Sequence, residues 1–129
     1  MTTDTPTILA YCAACNDDMP FSPETRTETA TIRGSEVKAV VDVLICPQCG
    51  HVRDALGHDS MLAFYNAYRQ QHGYLMPHEI VALRERYDLS REAFASLLGM
   101  SPASLYRYEG GGLQDKVHDI ALRSCQDPS

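Results

Sequence analysis

Polar and apolar positions change their period along the chain, and the changes divide it into segments of different kind. Thr25, Thr27, Thr29 and Thr31 alternate with Arg26, Glu28, Ala30 and Ile32. After Gly34-Ser35 the apolar set Val37, Ala39, Val41, Val43 and Ile45 returns at every second residue. A period of two on both sides of a Gly-containing turn predicts a β-hairpin. From Asp59 the period lengthens: Met61, Phe64, Tyr65 and Tyr68 stand at i, i+3, i+4 and i+7. This predicts an amphipathic helix, capped by Asp59 or Ser60 and stopped by Gly73.

Tyr74-Leu75-Met76 reads as a linker, because Pro77 suits the first turn of a new helix and disfavours helical geometry in the residue before it. The expected organisation is a module at 1–73, a linker at 74–76 and a helical module at 77–129. In the second module Ile80, Leu83 and Tyr87 line one helix, and Ser90 caps the next, whose Ala93, Phe94, Leu97 and Leu98 share a side before Gly99. Ser101-Pro102 opens a third, with Leu105 and Tyr108 inward and Gly110-Gly111-Gly112 after it, and Val117, Ile120, Ala121 and Ser124 mark a last helix. The fold class is α+β, a hairpin with a helix followed by an all-α unit. The polar ends, Thr2 to Pro6 and Gln126 to Ser129, are expected to fray.

With 129 residues, 44% apolar and 22% charged, the chain has the composition of a soluble globular protein of one or two small domains. Its net charge is −6, with five basic against nine acidic residues in 1–76 and six against eight in 77–129. Neither half is basic, which excludes a sequence-blind polycation; any nucleic-acid contact must be local and geometric. The first basic residue is Arg26, and the most apolar run, Ala39 to Cys46, is broken by Asp42, so a cytoplasmic protein without membrane contact is expected.

Five cysteines change the picture, because four form two pairs: Cys12-Ala-Ala-Cys15 and, after thirty intervening residues, Cys46-Pro-Gln-Cys49-Gly50-His51. Two C-x-x-C turns aim four thiolates at one borderline-soft cation, so a single structural Zn²⁺ is expected on Cys12, Cys15, Cys46 and Cys49. The predicted hairpin fills the spacer and returns the chain to its start. Such a shell is closed, which argues against an enzyme. Gly50 permits the positive φ of a knuckle turn, and Asn16 at the matching place tolerates it. The alternatives are buried free thiols, a redox dithiol, which needs a βαβ context the chain lacks, and His51 as a substitute ligand. His58, His72, His78 and His118 have no mutual ligand spacing and read as solvated side chains. Cys125 reads as packing.

Leu89 to Glu109 carries the second candidate chemistry. Two short helices joined by Gly99-Met100-Ser101, with small Ala93 at the crossing, make the pattern of a helix-turn-helix. If Phe94, Leu97, Met100, Leu105 and Tyr108 fill the inside, then Pro102, Ala103, Ser104, Tyr106 and Arg107 are left for a major groove. Arg107 is the expected base reader, since its fork donates twice to guanine O6 and N7. Tyr106 suits the backbone or a thymine methyl, and Arg91 and Ser101 stand at helix starts where phosphate is expected. Glu109 counts against DNA binding, whereas Arg84, Arg86, Arg91 and Arg107 form a candidate basic cluster. The bland alternative is a helical hairpin with Arg107 solvated.

Together these motifs, from Cys12 to Glu109, resemble the MqsA or YgiT type, in which a zinc finger with paired C-x-x-C motifs precedes a Cro- or lambda-repressor-like helix-turn-helix. The resemblance implies Zn²⁺ on the four cysteines, a homodimer, binding of a double-stranded DNA operator through the third helix, and an antitoxin that neutralises a toxin from the adjacent reading frame and represses their shared promoter. Arg107 matches the family's Arg, but Ala103 stands where the family has Asn, so the operator is expected to differ. A dimer also follows from area, because one small helix-turn-helix buries too little surface for tight specific binding. The competing readings are a stand-alone regulator without a toxin, a zinc-ribbon adaptor whose helices bind protein only, and a thiol-redox or zinc-dependent catalyst.

Overall fold

The computed structural model describes residues 6–126. The polar ends expected to fray fall at or beyond these limits. The chain runs β1 (Ile8–Cys12), β2 (Asp17–Ile32), β3 (Ser35–Ile45), β4 (Val52–Asp54), α1 (Ser60–His72), α2 (Pro77–Arg86), α3 (Arg91–Leu98), α4 (Pro102–Glu109) and α5 (Lys116–Ser124). This is an α+β fold, an antiparallel sheet followed by helices.

The four strands pair antiparallel in chain order. The predicted hairpin is β2 and β3, paired from Ser22 with Ile45 out to Ile32 with Ser35. Its two-residue tip, Arg33-Gly34, holds both residues at positive φ, 50° and 81°, the twist a tight hairpin turn needs. The strands β1 and β4 flank only the base, reaching Phe21 on β2 and Val43 on β3. Neither was expected, since β4 is only three residues long and in β1 the outward Leu9 and Tyr11 are as apolar as the inward residues, so no alternation shows.

The helix α1 packs on β3, whose Val37, Val41 and Val43 are buried, each stabilising the module by roughly 1.5–3 kcal/mol. Asp59 caps it through a carboxylate that accepts from Met61 N and Leu62 N, and Gly73 ends it at φ 73°. The expected inward stripe is displaced, because Met61 is exposed and Arg69 is buried beside Tyr68. Gly111 explains part of the shift. A Cβ there would stand 2.8 Å from Leu62 Cδ1, so α1 lies directly on the segment that follows α4.

A second core gathers Leu75, Ile80, Leu83, Phe94, Ala95, Met100, Leu105, Tyr108 and Leu122, with Tyr87, Leu89, Leu98 and Cys125 against it. Two expectations fail here. Leu97 is 62% exposed and Ala93 is exposed, while Ala95 is the small residue inside. The inward stripe of α3 is Phe94 and Ala95 with the partly buried Leu98, and at about 100° per residue it leaves Leu97 roughly 100° to the side. In α5 the apolar Val117 and Ile120 face out, whereas Asp119 and Leu122 are buried, because Asp119 is satisfied by hydrogen bonds from Leu75 N, Gln114 Nε2 and Arg123 Nε. Among the described residues no helix is long and apolar enough to cross a membrane.

Candidate metal centre and nucleic-acid interface

Cys12 ends β1 and Cys46 follows β3 directly, so the sheet brings the two knuckles to one end. Each knuckle closes by a backbone bond to the carbonyl of its first cysteine, Asn16 N to Cys12 O at 2.7 Å and Gly50 N to Cys46 O at 2.9 Å. Both donors sit at positive φ, 56° for Asn16 and 76° for Gly50, the conformation that Asn tolerates and Gly adopts freely. Phe21 and Leu44 pack beneath Cys12 and Cys46 and form a small apolar floor.

All four sulfurs lie within 4.8 Å of one another, with Cys12 Sγ 3.6 Å from Cys49 Sγ and Cys15 Sγ 3.8 Å from Cys46 Sγ. A tetrahedron with metal–sulfur bonds of about 2.3 Å has edges of about 3.8 Å, so the spacing fits a four-thiolate ion. A disulfide needs about 2.05 Å, and all five cysteines are free. Burial raises the Cys46 thiol, but backbone N–H groups of Cys49 and Gln48, with the Cys49 and Cys15 thiols, outweigh it and lower the pKa to about 7. Cys15 is pushed up to about 12 by its hydrogen bond to Cys49, by burial and by the other thiols. His51 stands outside the cluster and contributes its carbonyl, which accepts from Cys46 N at 2.9 Å. These four cysteines can hold a metal ion.

The helical half begins with α2, after which α3 and α4 meet across Gly99-Met100-Ser101. Ser90 Oγ caps α3 by accepting from Ala93 N at 3.2 Å, and Gly99, at φ 73°, ends it. Met100 N then reaches back to Ala95 O at 3.0 Å. Ser101 Oγ caps α4 by accepting from Ser104 N at 3.1 Å. With Leu105 and Tyr108 buried, α4 turns Pro102, Ala103, Tyr106 and Arg107 to solvent. Ser104 is half-buried, and its hydroxyl bonds Ser101 Oγ and accepts from Arg107 Nη2 at 3.4 Å. The candidate groove residues therefore share one exposed side of one helix.

Arg91 joins that side in a way its position at a helix start did not foretell. Its guanidinium lies 5.1 Å from the Tyr106 ring centroid, and its Nε donates to Glu109 Oε1 at 3.0 Å. Glu109 is not a free surface charge. Its side chain is 4% exposed and accepts from Arg84 as well, so it holds two arginines at the edge of α4. Arg84, Arg91 and Arg107 line one open cleft of about 760 Å³ with Tyr106. Arg86 leaves the expected cluster and donates to Gln126 O at 2.9 Å.

Two histidines read as solvated are engaged: His118 Nδ1 lies 2.7 Å from Tyr108 Oη, and His72 packs 4.2 Å from the Tyr68 ring. No periodicity marks such pairs. Cys125 is partly buried against the helical core, its thiol raised by burial.

No curated protein and no solved structure matches the chain. Residues 78–122, from α2 through most of α5, match the family model described as helix-turn-helix domain, and the second half of the chain carries a helix-turn-helix domain.

Proposed function

We propose that this chain is a sequence-specific DNA-binding transcriptional repressor, stabilised by one structural Zn²⁺, with residues 77–129 reading DNA and residues 1–73 carrying the metal. The observation that carries the reading is the exposed side of α4, where Arg107 and Tyr106 stand beside Arg91 while the opposite side is locked into the core. An α-helix fits the width of the major groove, and Arg107 then presents two donors to the Hoogsteen edge of guanine. Arg91 and the N-terminus of α4 serve the phosphates, which position the helix without specifying sequence.

Zinc is favoured by the all-sulfur donor set and by the match of sulfur spacing to a tetrahedral shell. Bound there, it would join the two knuckles at one end of the ribbon, and with four thiolates filling its shell the reading has no catalytic step. A homodimer in the cytoplasm, placing two copies of α4 about one helical turn apart, supplies the area that one small domain lacks. The order of a metal-holding ribbon ahead of a helix-turn-helix favours the antitoxin of a two-protein system, which neutralises a cognate toxin and represses its own operon.

The test is a titration against the tightest duplex selected from a random 30-base-pair pool. Arg107→Ala should cost roughly 1–3 kcal/mol and relax base choice. An unchanged titration removes the reading of α4. Co-purification with the product of a neighbouring small reading frame tests the antitoxin part, and a toxin that ignores this protein removes it.

A further inference from the structure

Among the described residues two charges are fully buried, Arg69 and Asp119, and neither is in a candidate site. Arg69, on α1, is 0% exposed, and its guanidinium spans the junction between the two halves. Its Nη2 donates to Gly111 O at 3.0 Å and Gly112 O at 2.5 Å, its Nε to Gln114 Oε1 at 3.0 Å, and its Nη1 to Asn66 Oδ1 at 2.7 Å. Among the described residues no carboxylate bonds it directly; Gln114 bridges it to Asp119. Burial pulls its pKa down to about 10, with Asp119 acting against that pull. A guanidinium this costly to bury is held by what it organises.

What it organises is the exit of α4. Gly110 N, Gly111 N and Gly112 N point back to Tyr106 O, Tyr108 O and Arg107 O, the last at 2.8 Å. The carbonyls of Gly111 and Gly112 point the other way, to Arg69. The segment is thus pinned from both sides, and a cation from α1 sits at the carbonyl end of α4, where a helix favours positive charge. From the hairpin tip Arg33 adds two bonds to the same stretch, to Gln114 O at 2.7 Å and Leu113 O at 3.1 Å. Gly112 is hydrogen-bonded to the backbone of Arg107 itself, so one link separates Arg69 from the base reader.

We propose that Arg69 is a positioning residue for DNA recognition: from the metal-bearing half it fixes the last turn of α4, and with it Arg107, while touching no DNA. This rests on the DNA reading of α4 and adds that the ribbon half sets the affinity of the helical half.

The experiment uses the full chain, its metal content verified, and the selected 30-base-pair duplex. Arg69→Met, which keeps most of the volume and loses every donor, should weaken binding about 10- to 100-fold, and Arg69→Lys should fall between it and the wild type. Both are measured well below their melting temperatures. The slope of log affinity against log salt should stay within about 0.9 of the wild type, since no phosphate contact is removed, and the preferred bases should not change. A role in stability alone leaves the affinity of the folded variants intact, and that result overturns the proposal; so does a slope shallower by one phosphate or more. If neither variant folds, Asn66→Ala, which frees Arg69 Nη1 and leaves the guanidinium in place, takes their part: weaker binding at an unchanged salt slope supports the clamp, and unchanged affinity overturns it. A wild type with no salt-dependent affinity for any duplex overturns the DNA reading as well. A wild type that binds and loses affinity on Arg107→Ala, beside folded Arg69 variants that bind normally, overturns this inference alone.

Discussion

Glu109 receives the fork of Arg84 in a two-point pair, Nε to Oε2 at 2.8 Å and Nη2 to Oε1 at 3.1 Å. The hydrogen bond to Glu109 raises the Arg84 pKa above its ordinary value despite burial. The pair joins α2 to the end of α4 and leaves Oε1 shared with Arg91. Removing one member of a buried pair leaves the other uncompensated, so Glu109→Ala should destabilise the protein by about 3 kcal/mol in urea unfolding. An effect below about 1 kcal/mol would show that Arg84 finds water instead.

Metal removal should act on the ribbon. The floor under the knuckles is small, four buried residues of which two are the cysteines themselves. An excess of chelator should therefore abolish strand signal in circular dichroism, with one zinc released per chain, and Cys12→Ser should reproduce the loss. Unchanged spectra after complete metal removal would contradict a structural site.

Gly111 sits at φ 113°, and a Cβ built there would stand 2.8 Å from Leu62 Cδ1. The backbone conformation alone is strained for any other residue, and the Leu62 contact adds to it. Gly111→Ala should cost about 1–3 kcal/mol in a thermal or urea melt, whereas Gly57→Ala, with an open surrounding, should show only the backbone share.

The Asp54 carboxylate accepts from Ser60 Oγ and, at 3.1 Å, Ser60 N, and these bonds hold its pKa below the ordinary 3.8. A lowered folded-state pKa contributes stability that is present above 3.8 and is lost as pH falls through the folded value. Asp54→Asn should therefore lower the urea midpoint at pH 6, and the difference should shrink as the pH falls below 3.8 and close once the carboxylate is protonated in the folded state. A gap that persists at low pH would assign the effect to shape and not to charge.

Much of this was legible along the chain, and the failures have physical causes. The hairpin and the four-cysteine cluster followed from period and spacing, because a buried strand face and paired tight turns both impose regular intervals on sequence. Asn16 at positive φ followed from its chemistry. Leu97 misled because helical phase is set by whichever stripe buries best, and Phe94-Ala95-Leu98 buries more completely. Arg69 and Asp119 were invisible for a deeper reason. A charge is buried only when partners remote in sequence satisfy it, here Gly111, Gly112, Gln114 and Leu75, and no local pattern records them. The charge of Glu109 is visible in the sequence, but its pairing with Arg84 and Arg91, 25 and 18 residues away, is not.

Beyond Phe21 and Val43 the ribbon is two strands wide, paired only within itself, and it carries an exposed Val40 on its outer surface. Lone borders of this length invite other chains to polymerise along them. Glu24, Arg26 and Glu28 on one strand and Glu36 and Lys38 on the other set charges along both margins, and Arg26 bonds the carboxylates on either side of it. Neutralising those five positions should leave the monomer's fold intact while turning a dilute, clear solution into fibres.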